Sequence, residues 1–92
     1  MAKLSGDEVQ QGLSKLDGWD REGDEIVKEF GFDGFGDAIA FVVRLGFRAE
    51  KANHHPDIDV RYNRVRVALS THSEGGITDK DLALAGEADT AA

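Results

Sequence analysis

Ninety-two residues make one small domain, here taken as residues 1–92, with no room for two independent cores. The 18 acidic and 11 basic side chains leave a net charge of −7, which sets the surface as a whole against nucleic-acid phosphates and anionic lipid. There is no cysteine, so disulfides, thiolate metal sites and a cysteine nucleophile are excluded. No apolar run approaches the roughly 20 residues of a membrane span, and the polar start argues against a signal peptide. We therefore expect a cytoplasmic protein that binds neither membrane nor nucleic acid.

The first expected helix runs from about Asp7 to Leu16. Ser5 and Glu8 have capping-box spacing, and Leu4 with Val9 fits a hydrophobic staple. Val9, Leu13 and Leu16 form its apolar stripe, and Gly18 suits the position just past its end. Trp19 opens a short strand, Glu22-Gly23-Asp24-Glu25 reads as a turn, and Ile26 to Phe32 returns. Ile26, Phe30 and Phe32 share one face of that strand, with Lys28 as the exception.

A second helix is expected from about Phe35 to Asn53. Asp37, Arg44, Arg48 and Lys51 fall in one narrow arc at 100° per residue. Ala38, Ile39, Phe41, Val42, Val43, Leu45, Phe47 and Ala49 take most of the rest. That apolar arc is too wide for a helix with its back to water, so other helices or another subunit must flank it. Phe41 and Phe47, bordering the polar arc, are the candidates for a contact between subunits. Glu50 projects into the apolar arc, where a carboxylate is desolvated, paired or at the lip of a cavity.

Pro56 stops the helix. Ile58, Val60 and Tyr62 then alternate with polar residues, as do Val65, Val67, Leu69 and Thr71, which predicts two half-buried strands with a turn or bulge at Asn63. Gly75-Gly76 is a loop. Thr78 can cap a last helix with Asp81 at its third position, and Ile77 and Leu82 have staple spacing. Residues 86–92, all small, acidic or threonine, are expected to fray. The order αββαββα implies an α+β fold: a single antiparallel four-stranded sheet with helices on one face.

All three histidines, His54, His55 and His72, lie within 19 positions, close in sequence to Glu50. Imidazole suits both giving and taking protons at neutral pH. Three imidazoles near one carboxylate fit a reaction that needs one proton delivered and another removed. Two other readings stand beside this one. Adjacent loop histidines are commonly solvated surface residues. A histidine-carboxylate metal set with Asp57 or Asp59 is also conceivable, but neighbouring side chains diverge in extended backbone and no HExxH pairing is present. Arg61, Arg64 and Arg66 alternate with core residues, which describes a solvated sheet face better than a nucleic-acid patch.

Glu50, then three residues, then His54-His55-Pro56-Asp57 resembles the signature of the pterin-4a-carbinolamine dehydratases. Tyr62-Asn63, Thr71-His72, Gly75-Gly76-Ile77-Thr78, Asp81 and Leu82-Ala83 continue the similarity over roughly residues 5–86. The resemblance implies dehydration of 4a-hydroxytetrahydrobiopterin to quinonoid dihydrobiopterin, without metal or cofactor, in recycling the pterin of aromatic amino acid hydroxylases. It implies that His54 and His72 are the acid-base residues. His55 would bind and orient the pterin, with Glu50, Pro56 and Asp57 around the site. It also implies a homo-oligomer, dimer or tetramer. The alternative it carries is a non-catalytic or molybdopterin-related binding or assembly protein of the same fold. Ile58 stands where the family often has tryptophan, which by the resemblance would change the pocket shape and weaken stacking on the pterin, and Ser73 where it often has aspartate.

Overall fold

Capping-box spacing opens the first and last helices as expected. In the computed structural model, which describes residues 2–92, the Ser5 hydroxyl accepts from the Glu8 N–H at 3.2 Å. Glu8 in turn accepts from the Ser5 N–H at 2.8 Å. Helix α1 spans Gly6–Leu13 and stops three residues before the expected end. Lys15 and Leu16 donate to carbonyls three residues back, so the chain tightens out of the α-helix there. Gly18, at φ +83°, belongs to the turn into Trp19, not to the end of the helix.

Strands β1 (Asp20–Glu22), β2 (Glu25–Gly31), β3 (Asp57–Arg61) and β4 (Arg64–Leu69) form one antiparallel sheet in the order β1-β2-β4-β3. Helix α2 (Phe35–Ala52) packs on β3 and β4, and α3 (Asp79–Ala91) packs on α2 and β4. With a short 3₁₀ turn at His72–Glu74, the order is the expected αββαββα of an α+β fold. Ile26, Phe30, Val65, Val67 and Leu69 meet Phe41 and Leu45 in the core. Phe41 sits against Phe30 and Phe32, with ring centroids 4.7 and 5.2 Å apart. Lys28 is reconciled with this inner face by three partners. Its ammonium donates to the Asp17 carbonyl at 2.7 Å and to Asp89 at 2.8 Å, and lies 4.9 Å from the Phe30 ring centre. On the outer face Arg61, Arg64 and Arg66 pair with Asp59, Glu29 and Glu22, which bears out the solvated-face reading of these arginines.

Three expectations are corrected. Residues 86–91 continue α3, with Ala88 and Ala91 buried and Asp89 accepting from the Trp19 indole at 3.1 Å. Alanines at three-residue spacing allow close helix packing, although they do not read as an apolar stripe. Tyr62 is an exposed turn residue at φ +50°, not a strand residue facing the core. Phe41, expected at a subunit contact, is fully buried within its own chain. The apolar arc of α2 instead divides. Ala38, Phe41, Leu45 and Ala49 face the core, while Phe35, Ile39, Val43 and Phe47 stand exposed on the other side. Among the described residues, no helix is long and apolar enough to cross a membrane.

Candidate functional site

The site begins where α2 ends. Asn53 takes a left-handed conformation at φ +51°, and the His54 N–H returns to the Ala49 carbonyl at 3.1 Å. This Schellman-type stop, followed by Pro56, turns the chain sharply into β3. Consecutive histidines therefore diverge. The His54 side chain is only 11% exposed, and its Nε2 meets Asp81 Oδ1 at 2.5 Å. His55 is 62% exposed, and its Nε2 meets Glu50 Oε1 at 3.0 Å.

Asp81 is fully buried. It comes from the first turn of α3, where the Thr78–Asp81 capping box places its Oδ2 2.9 Å from the Thr78 N–H. The same oxygen accepts from the Thr71 hydroxyl at 2.8 Å. An ionised carboxylate only accepts, so the ring nitrogen that faces Oδ1 carries hydrogen. His54 in its neutral form then has hydrogen on Nε2 and a free lone pair on Nδ1. His55 also faces a carboxylate through Nε2, but both side chains are exposed, so water competes for its ring nitrogens.

His72 starts the 3₁₀ turn just beyond β4. Backbone pairing of Thr71 with Gly76 closes this loop, and Gly75 supplies the left-handed residue at φ +71° that the tight return requires. An open depression of about 260 Å³ is lined by His54, His55 and His72 together with Asn53, Ser70, Thr71, Ser73 and Lys80. Three imidazoles from two loops thus share one concavity. Lys80 adds a cation at its rim.

The other expected site residues lie outside that lining. Glu50 is 79% exposed and paired with His55, so it is neither desolvated nor within the depression. Pro56 is half-buried and Asp57 opens β3 with its side chain exposed. Among the described residues, no group of three or more histidine and carboxylate side chains is arranged to hold a metal ion. A larger depression, of about 790 Å³, lies between α2 and α3 and is lined by Arg44, Phe47, Arg48, Lys51, Ala52 and Glu87, with no histidine in its lining.

Sequence reasoning placed Asp81 as a helix cap and missed that its other oxygen holds His54. The capping spacing is visible in sequence. The tertiary contact between residues 54 and 81 leaves no local pattern.

The family model for pterin 4 alpha carbinolamine dehydratase matches residues 2–91. A relative from Mycobacteroides abscessus, provisionally named pterin-4-alpha-carbinolamine dehydratase, is 53% identical over 90 residues, covering 98% of this chain and 96% of its own. One from Chloroflexus aurantiacus with the same provisional name is 52% identical over 89 residues, covering 97% and 96%. Among solved structures, a transcriptional coactivator/pterin dehydratase from Brucella melitensis superposes with a TM-score of 0.95 at 37% identity, covering 98% of each chain. A pterin dehydratase-like protein described as a RuBisCO assembly factor in the alpha-carboxysome shares the fold, with a TM-score of 0.65 at 22% identity over 79% of this chain and 84% of its own.

Proposed function

We propose that this chain, which belongs to the pterin 4 alpha carbinolamine dehydratase family, removes water from 4a-hydroxytetrahydrobiopterin to give quinonoid dihydrobiopterin. The observation that carries this reading is the convergence of His54, His55 and His72 on one depression, with His54 held from behind by a buried carboxylate.

The reaction moves one proton off the substrate and one onto it. His54 takes the N5 proton through its free Nδ1, and the Asp81 carboxylate offsets the charge the ring gains. His72, protonated, gives its proton to the 4a-hydroxyl. The C4a–O bond breaks, water leaves, and the N5 electron pair closes the N5–C4a double bond. His54 ends charged and His72 neutral, so a proton returned through solvent completes the cycle. His55 binds and orients the pterin. Glu50, through its bond to His55, supports that role, and Pro56 and Asp57 shape the chain beside it. The reaction needs neither metal nor cofactor. Its place is the cytoplasm, in recycling the pterin of a hydroxylase.

The exposed stripe of Phe35, Ile39, Val43 and Phe47 supports a homo-oligomer, with α2 of one copy against α2 of another. Light scattering is expected to give a dimer or tetramer, and Val43→Asp with Phe47→Asp to give a monomer. The same stripe also supports the second reading, a binding or assembly protein of this fold. The deciding experiment follows ultraviolet absorbance as purified protein is mixed with 4a-hydroxytetrahydropterins. Acceleration over buffer supports the enzyme. A rate equal to buffer with folded protein overturns it.

A further inference from the structure

We propose that Thr71 is a positioning residue for His54, acting through Asp81. This rests on the reading that His54 moves a proton. The argument is a count of hydrogens in a closed space. Thr71 and Thr78 are both buried, and their hydroxyl oxygens lie 2.8 Å apart. The single hydroxyl hydrogen of Thr71 goes to Asp81 Oδ2. Thr78 must therefore donate to Thr71, while its own oxygen accepts from the Lys80 N–H at 3.2 Å. The hydrogens run one way, from Thr78 to Thr71 to Asp81, and His54 donates to Asp81 from the other side.

Asp81 can orient His54 only if the carboxylate itself does not turn. The Thr78 N–H holds Oδ2 along the helix axis, as any cap would. The Thr71 hydroxyl holds the same oxygen from the loop that follows β4. Two donors from two elements fix the plane of the carboxylate, and with it the direction in which Oδ1 faces the ring. Thr71 also closes the loop that presents His72, through its backbone pairing with Gly76. One residue thus sets the position of both proton-transfer groups, one by its side chain and the other by its main chain. Only the first contribution is lost when the hydroxyl is removed.

The test is Thr71→Val, which keeps the shape and the backbone but deletes the donor, compared with Thr71→Ser, which restores it. The primary readout is ¹⁵N NMR of the His54 ring. In the parent, neutral His54 is expected as one tautomer with hydrogen on Nε2. In Thr71→Val it is expected as a mixture, with kcat about 10-fold lower and KM within about 2-fold, as for loss of one hydrogen bond to a charged group. Thr71→Ser is expected to restore both the spectrum and kcat to within about 2-fold. Thr71→Cys, a weak donor of similar size, gives an intermediate tautomer mixture and decides the matter if the valine variant does not fold. An unchanged tautomer in the folded valine or cysteine variant overturns the proposal, even if kcat falls, because the hydroxyl is then merely structural. Absence of turnover in the parent would remove the proposed activity and leave the NMR comparison to decide the positioning.

Discussion

His54 and His55 are joined by one peptide bond, and each faces a carboxylate through Nε2, yet the two pairs differ in kind. In the first, the side chains are 11% and 0% exposed, and further donors hold the carboxylate. In the second, they are 62% and 79% exposed, and the partner lies on the same segment of chain, five residues away. A buried pair has fixed geometry and little screening. An exposed pair contributes roughly 0–1 kcal/mol and exchanges with water. The difference fits the two roles proposed for these neighbours: a group that moves protons needs a defined tautomer, and a group that meets the substrate needs to adapt.

The strongest test of this contrast is His54→Ala, expected to lower kcat by roughly 10²- to 10⁴-fold with little change in KM. A near-silent substitution would remove the buried pair from the mechanism. Next comes Asp81→Asn. Its oxygen can still accept from Thr71 and Thr78, so thermal melting should shift by only a few degrees. Its amide donates toward His54 and imposes the opposite tautomer, so kcat should fall by about 10²-fold. Equal losses of stability and rate would instead make Asp81 a cap alone. His55→Ala should raise KM several-fold, with kcat within about 3-fold of the parent; a loss as large as that of His54→Ala would erase the distinction. The smallest effect is expected from Glu50→Gln, a change in KM below about 3-fold that fades further as salt rises, since an exposed pair is screened. A KM effect that persists at about 1 M salt would mean that Glu50 is covered in the working protein, as burial of the α2 stripe by a second copy would achieve.

The fold was legible wherever the determinants are local. Ser5 with Glu8, and Thr78 with Asp81, announce helix starts because capping is a three-residue interaction. Val65, Val67 and Leu69 announce an inward strand face because the pleat has period two. The apolar arc of α2 was legible as too wide, but not its division, because a helical wheel does not say which side meets the sheet. For that reason the wheel puts Phe41 at the border of the polar arc, a candidate for a subunit contact, when it is the residue against which Phe30 and Phe32 pack. The docking of α3 was hidden as well. Its last contacts are made by alanines and by Asp89, whose partners Trp19 and Lys28 lie some sixty to seventy positions earlier in the chain. At the site, the three histidines were visible as a cluster, whereas Asp81 looked complete as a cap. Its second task depends on a contact across 27 residues.

Asn53 has no chemistry in the scheme above, yet it determines which histidine is which. The two imidazoles are chemically identical, so the chain distinguishes them only by backbone direction, and that direction is set at one residue held at φ +51°. Asparagine tolerates this conformation, whereas alanine has no polar side chain to offset its cost, about 1–2 kcal/mol for a typical residue with a Cβ. If the helix ran on by one residue instead, the following side chain would swing by about 100°, and the inward address would pass to a neighbour. Identity at positions 54 and 55 is therefore written in a torsion angle, and a mutational survey scoring only the histidines would not find where it is encoded.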